Sequence, residues 1–160
     1  MDEPISKSQK KRQAIALQNL GVKLISLPPE TLAKLPLPEN LLHAVVMAKS
    51  MTSHGAIRRQ AQLIGKLMRT SDHETILNAY NALEEESQAK SLLFHKIEQW
   101  REDLMTEGKA ALTAFINSHP ETDVQVLRQL VKKAIEEKNQ AKTTTATKAL
   151  FRFIRSCSGV

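Results

Sequence analysis

No stretch of this chain reads as a β-strand with a partner. Val22-Lys23-Leu24-Ile25 is the nearest candidate, and it runs straight into Pro28-Pro29 with nothing to pair against. Without a sheet, the apolar residues must be buried by packing helix on helix. The 160 residues are enough for that, since a chain of this length buries about two-thirds of its unfolded surface. Aromatic residues are few (Trp100, Tyr80 and four Phe), so the core must rest on Leu, Ile, Val, Met and Ala. The expected fold class is all-α, an elongated protein of two small helical bundles or lobes connected by longer helices.

Helix punctuation supplies the detail. Ser6 or Ser8 can cap a first helix that ends at Gly21, where a left-handed C-terminal residue would fit. Pro28, Pro29, Pro36 and Pro38 break the chain and leave room only for a short turn around Glu30–Leu35. Pro38-Glu39 starts a second helix through Ala48, and Ser53 can cap another to about Met68. Ser71 or Asp72 caps the next, through about Glu86. Leu92 to about Glu107 is helical again and can be continuous with its predecessor. On it, Phe94, Ile97, Trp100, Arg101 and Leu104 share a side. Gly108 breaks the chain before Lys109–Asn117, Asp123 opens a helix to about Asn139, and a linker over Asn139–Thr147 precedes a last helix, Lys148–Cys157. The expected division is a basic N-terminal helical lobe over residues 1–70 and a C-terminal lobe over 71–160 with an acidic middle and a basic last helix. One continuous domain is the alternative.

Several function classes find no support. Cys157 is the only cysteine, so neither an internal disulfide nor a cysteine-built zinc site is available. It reads as a packing residue in a reducing compartment. No run approaches the ~20 apolar residues that span a bilayer, and the first thirty residues lack a signal peptide's apolar core. A cytoplasmic protein without membrane contact is expected. Gly65-Lys66 lacks the remaining residues of a phosphate-binding loop, and His43, His54, His73, His95 and His119 have no metal-ligand spacing. His95 is within reach of Glu98 for a surface hydrogen bond. Glu84-Glu85-Glu86 and the group Glu98, Glu102, Asp103 read as solvated helix surface before they read as a magnesium site. No catalytic residue, cofactor, metal or small-molecule substrate is expected; the chain reads as a non-enzyme.

Charge is segregated along the chain. Residues 1–70 carry eleven Lys/Arg against four Asp/Glu, residues 71–122 four against ten, and residues 123–160 eight against three. Basic ends around an acidic middle point to a polyanion partner. The sharpest instance is Ser53–Arg69. With Arg58 at zero on a helical wheel, Arg69, Gln62, Lys66 and Arg59 fall within about 100°, and Leu63, Leu67, Ile64, Ile57, Met68 and Ala61 fall between about 140° and 300°. Solvated faces normally mix signs, yet no acid stands between Ser53 and Arg69. Arginine's planar fork suits phosphate and guanine edges, and lysine adds a point charge. Gly55 and Gly65 lie on or beside this face. Glycine in a helix costs about 1 kcal/mol relative to Ala. Close phosphate approach is one reason to accept that cost; helix packing, or a helix end at Gly55, is the other.

Weaker patches follow. Lys7, Lys10, Lys11 and Arg12 crowd the start of the first helix, the wrong end for cations by the dipole rule. Arg128 and Lys132 pair on one helix, and Lys148, Arg152 and Arg155 share a face of the last. Phe151 and Phe153 flank that last patch and can stack on bases or, more simply, fill the core. Taken singly, each of these patches also fits an ordinary solvated face.

These residues bring out a family likeness. Ser6-Lys7-Ser8 with Lys10-Lys11-Arg12, Leu35-Pro36-Leu37, the block Arg58-Arg59-Gln60-Ala61-Gln62-Leu63-Ile64-Gly65-Lys66-Leu67-Met68-Arg69 and Leu92-Leu93-Phe94-His95-Lys96-Ile97-Glu98 carry it, with Arg128-Gln129-Leu130 and Phe151-Arg152-Phe153-Ile154-Arg155 adding less. On these blocks, which run over nearly the whole chain, the sequence resembles the YjgA/DarP proteins, bacterial factors that associate with the large ribosomal subunit. The resemblance implies a two-lobed helical, non-catalytic protein. It would bind large (50S) subunit precursors, contact their ribosomal RNA and promote their maturation. Some members carry a long acidic N-terminal tail, whereas only Asp2-Glu3 precede the basic helix here. The competing expectation is a protein-interaction adaptor that docks through the acidic middle helices and is not primarily an RNA binder. A DNA-binding reading has no standard motif to frame it.

Overall fold

The computed structural model describes residues 6–140 and 144–159. Among these, eight helices and no strand are found, so the fold is all-α. The chain divides into two compact units, Met1–Glu86 and Ser87–Val160.

The first unit contains α1 (Lys7–Ser26), α2 (Pro29–Leu32), α3 (Glu39–Lys49), α4 (His54–Thr70) and the beginning of α5 (His73–Thr106). Ser6 opens α1 by accepting a hydrogen bond from the Gln9 amide. The expected stop at Gly21 is not there: α1 runs on to Ser26. Gly21 is buried inside the helix, where a Cβ would stand 2.4 Å from Ile64 Cγ2. It is glycine because α4 needs that space, and not because the backbone turns. The Lys49 ammonium then caps α1 from the end of α3, donating to the carbonyl of Ile25 at 2.7 Å and also to that of Leu27.

Helices α1 and α3 pack on α4 and on each other. Their buried side chains include Leu20, Leu24, Leu41, Val45, Ile64 and Met68, joined by Ile76 and Tyr80 from α5. Each such aliphatic side chain stabilises the fold by about 1.5–3 kcal/mol. The Tyr80 hydroxyl donates to Glu84 at 3.2 Å; burial, with help from that carboxylate, raises its pKa. Asp72 caps α5, its carboxylate accepting from the Thr75 amide at 3.2 Å and from the Thr75 hydroxyl at 2.7 Å. The Thr75 hydroxyl first, and its amide second, hold the Asp72 carboxyl below its ordinary value. Helix α5 is continuous through the acidic Glu84–Glu86 run.

The second unit holds the rest of α5 with α6 (Lys109–Ser118), α7 (Val124–Asn139) and α8 (Thr145–Cys157). Gly108 separates α5 from α6 at φ 59°, a left-handed conformation that suits glycine. Asp123 caps α7 through the amides of Gln125 and Val126. Helix α8 begins at Thr145, ahead of the expected Lys148. The Glu137 carboxylate on α7 accepts from the amides of Ala146 at 2.7 Å and Thr147 at 3.3 Å, satisfying the first turn from outside the helix. Part of the expected linker, residues 141–143, lies outside the described residues. The core is built on Ile97, Leu104, Phe115, Leu127, Leu150 and Ile154. Phe115 is fully buried between the Trp100 ring, edge-on at 5.2 Å, and the His119 ring, stacked at 4.3 Å.

Candidate nucleic-acid interface

The expected basic face of α4 is laid out by its neighbours. Ala61, Ile64, Gly65 and Met68 are buried toward α1 and α3, and the Gln60 amide donates to the Ala44 carbonyl on α3 at 2.8 Å. This fixes the helix's rotation and leaves Arg58, Arg59, Gln62, Lys66 and Arg69 exposed together on one flank. Among the described residues, none of the four cations pairs with a carboxylate. Arg59 alone makes a local bond, from Nε to the Gly55 carbonyl at 3.3 Å. Four guanidinium or ammonium groups on one acid-free helix face make an anion surface, and Gln62 among them can donate to or accept from a base edge.

The two glycines near this face separate. Gly65 is buried, and a Cβ there would come within 3.1 Å of Gln18 Cβ on α1. Helix packing explains it, and phosphate access does not. Gly55 is exposed in the first turn of α4, with 3.8 Å between a built Cβ and the Arg59 guanidinium. Ile57 and Leu63, on the apolar side of the wheel, keep 37% and 43% of their surface exposed. Ile57 lies in the helix's first turn, and Leu63 opens onto a groove shared with His43 and Met47 of α3.

Lys7, Lys10, Lys11 and Arg12 are all exposed on the opening turns of α1, in the same unit as α4. The other predicted cations belong to the second unit. Lys148, Arg152 and Arg155 are exposed on α8, and Phe151 and Phe153 beside them are partly buried against the core. Arg128 and Lys132 are exposed on α7, beside an apolar cleft.

Phe94 shares a side of its helix with the buried Ile97 and Leu104 but is itself 52% exposed, its ring 5.3 Å from Phe151 on α8 and 6.0 Å from the exposed His95. Its stripe position gave no warning, because where a stripe leaves the core depends on the helix packed against it. The expected His95–Glu98 bond is also replaced: Glu98 pairs with Arg101 at 2.6 Å. The other acids once weighed as a magnesium group are engaged as well, Glu102 with Lys138 at 3.2 Å and Asp103 with Gln99 at 2.7 Å. Among the described residues, no three His, Cys, Asp or Glu side chains gather as a metal site, and no helix is long and apolar enough to cross a membrane.

Comparison with known proteins points one way. The family profile described as dual-action ribosomal maturation protein DarP matches residues 3–155. A protein of that name from Methylobacillus flagellatus is 43% identical over 154 residues, covering 96% of this chain and 85% of the relative. Another, from Idiomarina loihiensis, is 42% identical over 159 residues, with 99% and 93% coverage. A third, from Cupriavidus metallidurans, is 42% identical over 158 residues, covering 97% of this chain and 78% of its own length.

Proposed function

The chain belongs to the family of the dual-action ribosomal maturation protein DarP, and from that premise we propose that it is a non-catalytic, cytoplasmic maturation factor that binds ribosomal RNA on large-subunit precursors. The observation that carries this reading is the exposed, acid-free α4 face with Arg58, Arg59, Lys66 and Arg69 unpaired by any described carboxylate. Gln62 adds hydrogen bonding to a face otherwise built for phosphates. Lys7, Lys10, Lys11 and Arg12 extend the phosphate contacts of the first unit. In the second unit, Lys148, Arg152 and Arg155 supply a further cationic face, near which the exposed Phe94 ring offers a stacking platform.

The test combines sedimentation with salt titration. Extract is separated on a sucrose gradient and probed for wild type and for Arg58→Glu/Lys66→Glu/Arg69→Glu, with circular dichroism checking that the variant is folded. Wild type travels with large-subunit particles, and the variant stays at the top. In direct RNA binding, each lost phosphate contact lowers the slope of log affinity against log salt by about 1. Co-sedimentation unchanged by the triple reversal would refute the α4 assignment. The second reading, a protein adaptor docking through the acidic stretch of α5, draws on the exposed Leu92 and Phe94. It predicts association that survives the α4 reversal and is lost on Leu92→Asp.

A further inference from the structure

Two of the cations expected to touch RNA sit in a different setting from the rest. Helices α6 and α7 enclose a cleft of about 480 Å³ in the second unit. Its floor is aliphatic: Leu104 from the end of α5, Leu112 from α6, and Val131 and Ile135 from α7. Its rim carries Lys109, Arg128 and Lys132, with Glu136 as the one carboxylate. All four rim side chains are exposed, and among the described residues none of the three cations is held in an ion pair. The lining residues of α7 recur at i, i+3, i+4, i+7 and i+8, so one continuous face of that helix forms the wall. The cleft is open at Gly108, where an added Cβ would meet nothing within 4 Å.

We propose that this α6–α7 cleft is a docking site for a short acidic amphipathic helix of a protein partner. Apolar side chains one turn apart on the guest would sit against Leu112, Val131 and Ile135, and flanking carboxylates would meet Lys109, Arg128 and Lys132. Glu136, at one end of the α7 wall, orients the guest with its acidic residues toward Arg128. A nucleic-acid guest fits less well. The lining holds no aromatic ring for a base to stack on, and its aliphatic floor would leave base edges without hydrogen-bond partners. Arg128 and Lys132 are thereby assigned to a protein contact, independently of whether α4 binds RNA.

The experiment uses the full chain and a fluorescein-labelled synthetic helical peptide with Leu at i, i+3 and i+7 flanked by Glu. A peptide of the same composition in scrambled order and a short RNA hairpin are run beside it. Anisotropy gives affinity, and methyl NMR of Val131 and Ile135 reports where the probe sits. The patterned peptide is expected to shift both methyl groups and to bind about ten-fold tighter than its scrambled form, an advantage lost in Arg128→Glu/Lys132→Glu. Arg128→Gln/Lys132→Gln, which adds no repulsion, is expected to lose part of it. Equal binding of the two peptides, or methyl signals that ignore the patterned one, overturns the proposal. So does an RNA hairpin that shifts the same methyl groups and is lost with the same reversal, which would return the cleft to RNA. Arg58→Glu/Lys66→Glu/Arg69→Glu is expected to bind the peptide like wild type, so failure of the α4 reading stays separate.

Discussion

In Met1–Glu86 helices meet at glycines, whereas in Ser87–Val160 rings fill the space between them. Gly21 and Gly65 let α1 and α4 approach until a single methyl at Gly21 would collide with Ile64. Tyr80 is the lone aromatic of that unit. The second unit has the other five, and its core turns on Phe115 between Trp100 and His119. A contact made by backbone proximity is sensitive to added volume. A contact made by a large ring is sensitive to lost volume. The two units should therefore fail under opposite substitutions.

The largest effect is expected from Phe115→Ala, which should cost about 3–5 kcal/mol in denaturant unfolding. Hydrogen exchange should quicken in α6, α7 and α8 well before α1, α3 and α4; equal loss in both sets would break the comparison. Gly21→Ala comes next. Alanine normally gains about 1 kcal/mol over glycine inside a helix, yet the overlap with Ile64 should reverse the sign and leave the variant about 1–2 kcal/mol less stable. A stabilised Gly21→Ala protein would mean that α1 and α4 separate freely. Glu137→Ala is smaller still, about 1 kcal/mol, by analogy with a lost N-cap. Its signature is faster exchange at the Ala146 and Thr147 amides. The smallest expected effect is at Asp72. Its carboxyl is held below the ordinary value, so its stabilising contribution is present above the unfolded pKa and fades as pH falls through the folded one. The melting-temperature gap between wild type and Asp72→Ala should close on acidification, and a gap that persists at low pH would sink this account.

Much of this was legible without coordinates. Ser6, Asp72, Gly108 and Asp123 mark helix ends because capping and left-handed turns are local events, decided within four residues. The α4 cations share a face because helical periodicity alone aligns them. Family likeness was legible in blocks spread over nearly the whole chain, and the family profile matches residues 3–155.

What the tertiary structure decided is how each glycine, stripe and charge is used. Gly21 looked like a helix end and is a packing notch; Gly65 fitted phosphate access or helix packing equally, and α1 fills the space beside it. Glu137 caps a helix across a linker, and Phe94 stays exposed on the same helix side as the buried Ile97 and Leu104. Arg128 and Lys132 resembled any other basic pair until Lys109 and an aliphatic floor joined them in one cleft. Sequence periodicity fixes which residues share a helix face, because it depends only on neighbours along the chain. Whether that face is covered, and by what, is set by contacts between distant segments, which no local pattern encodes.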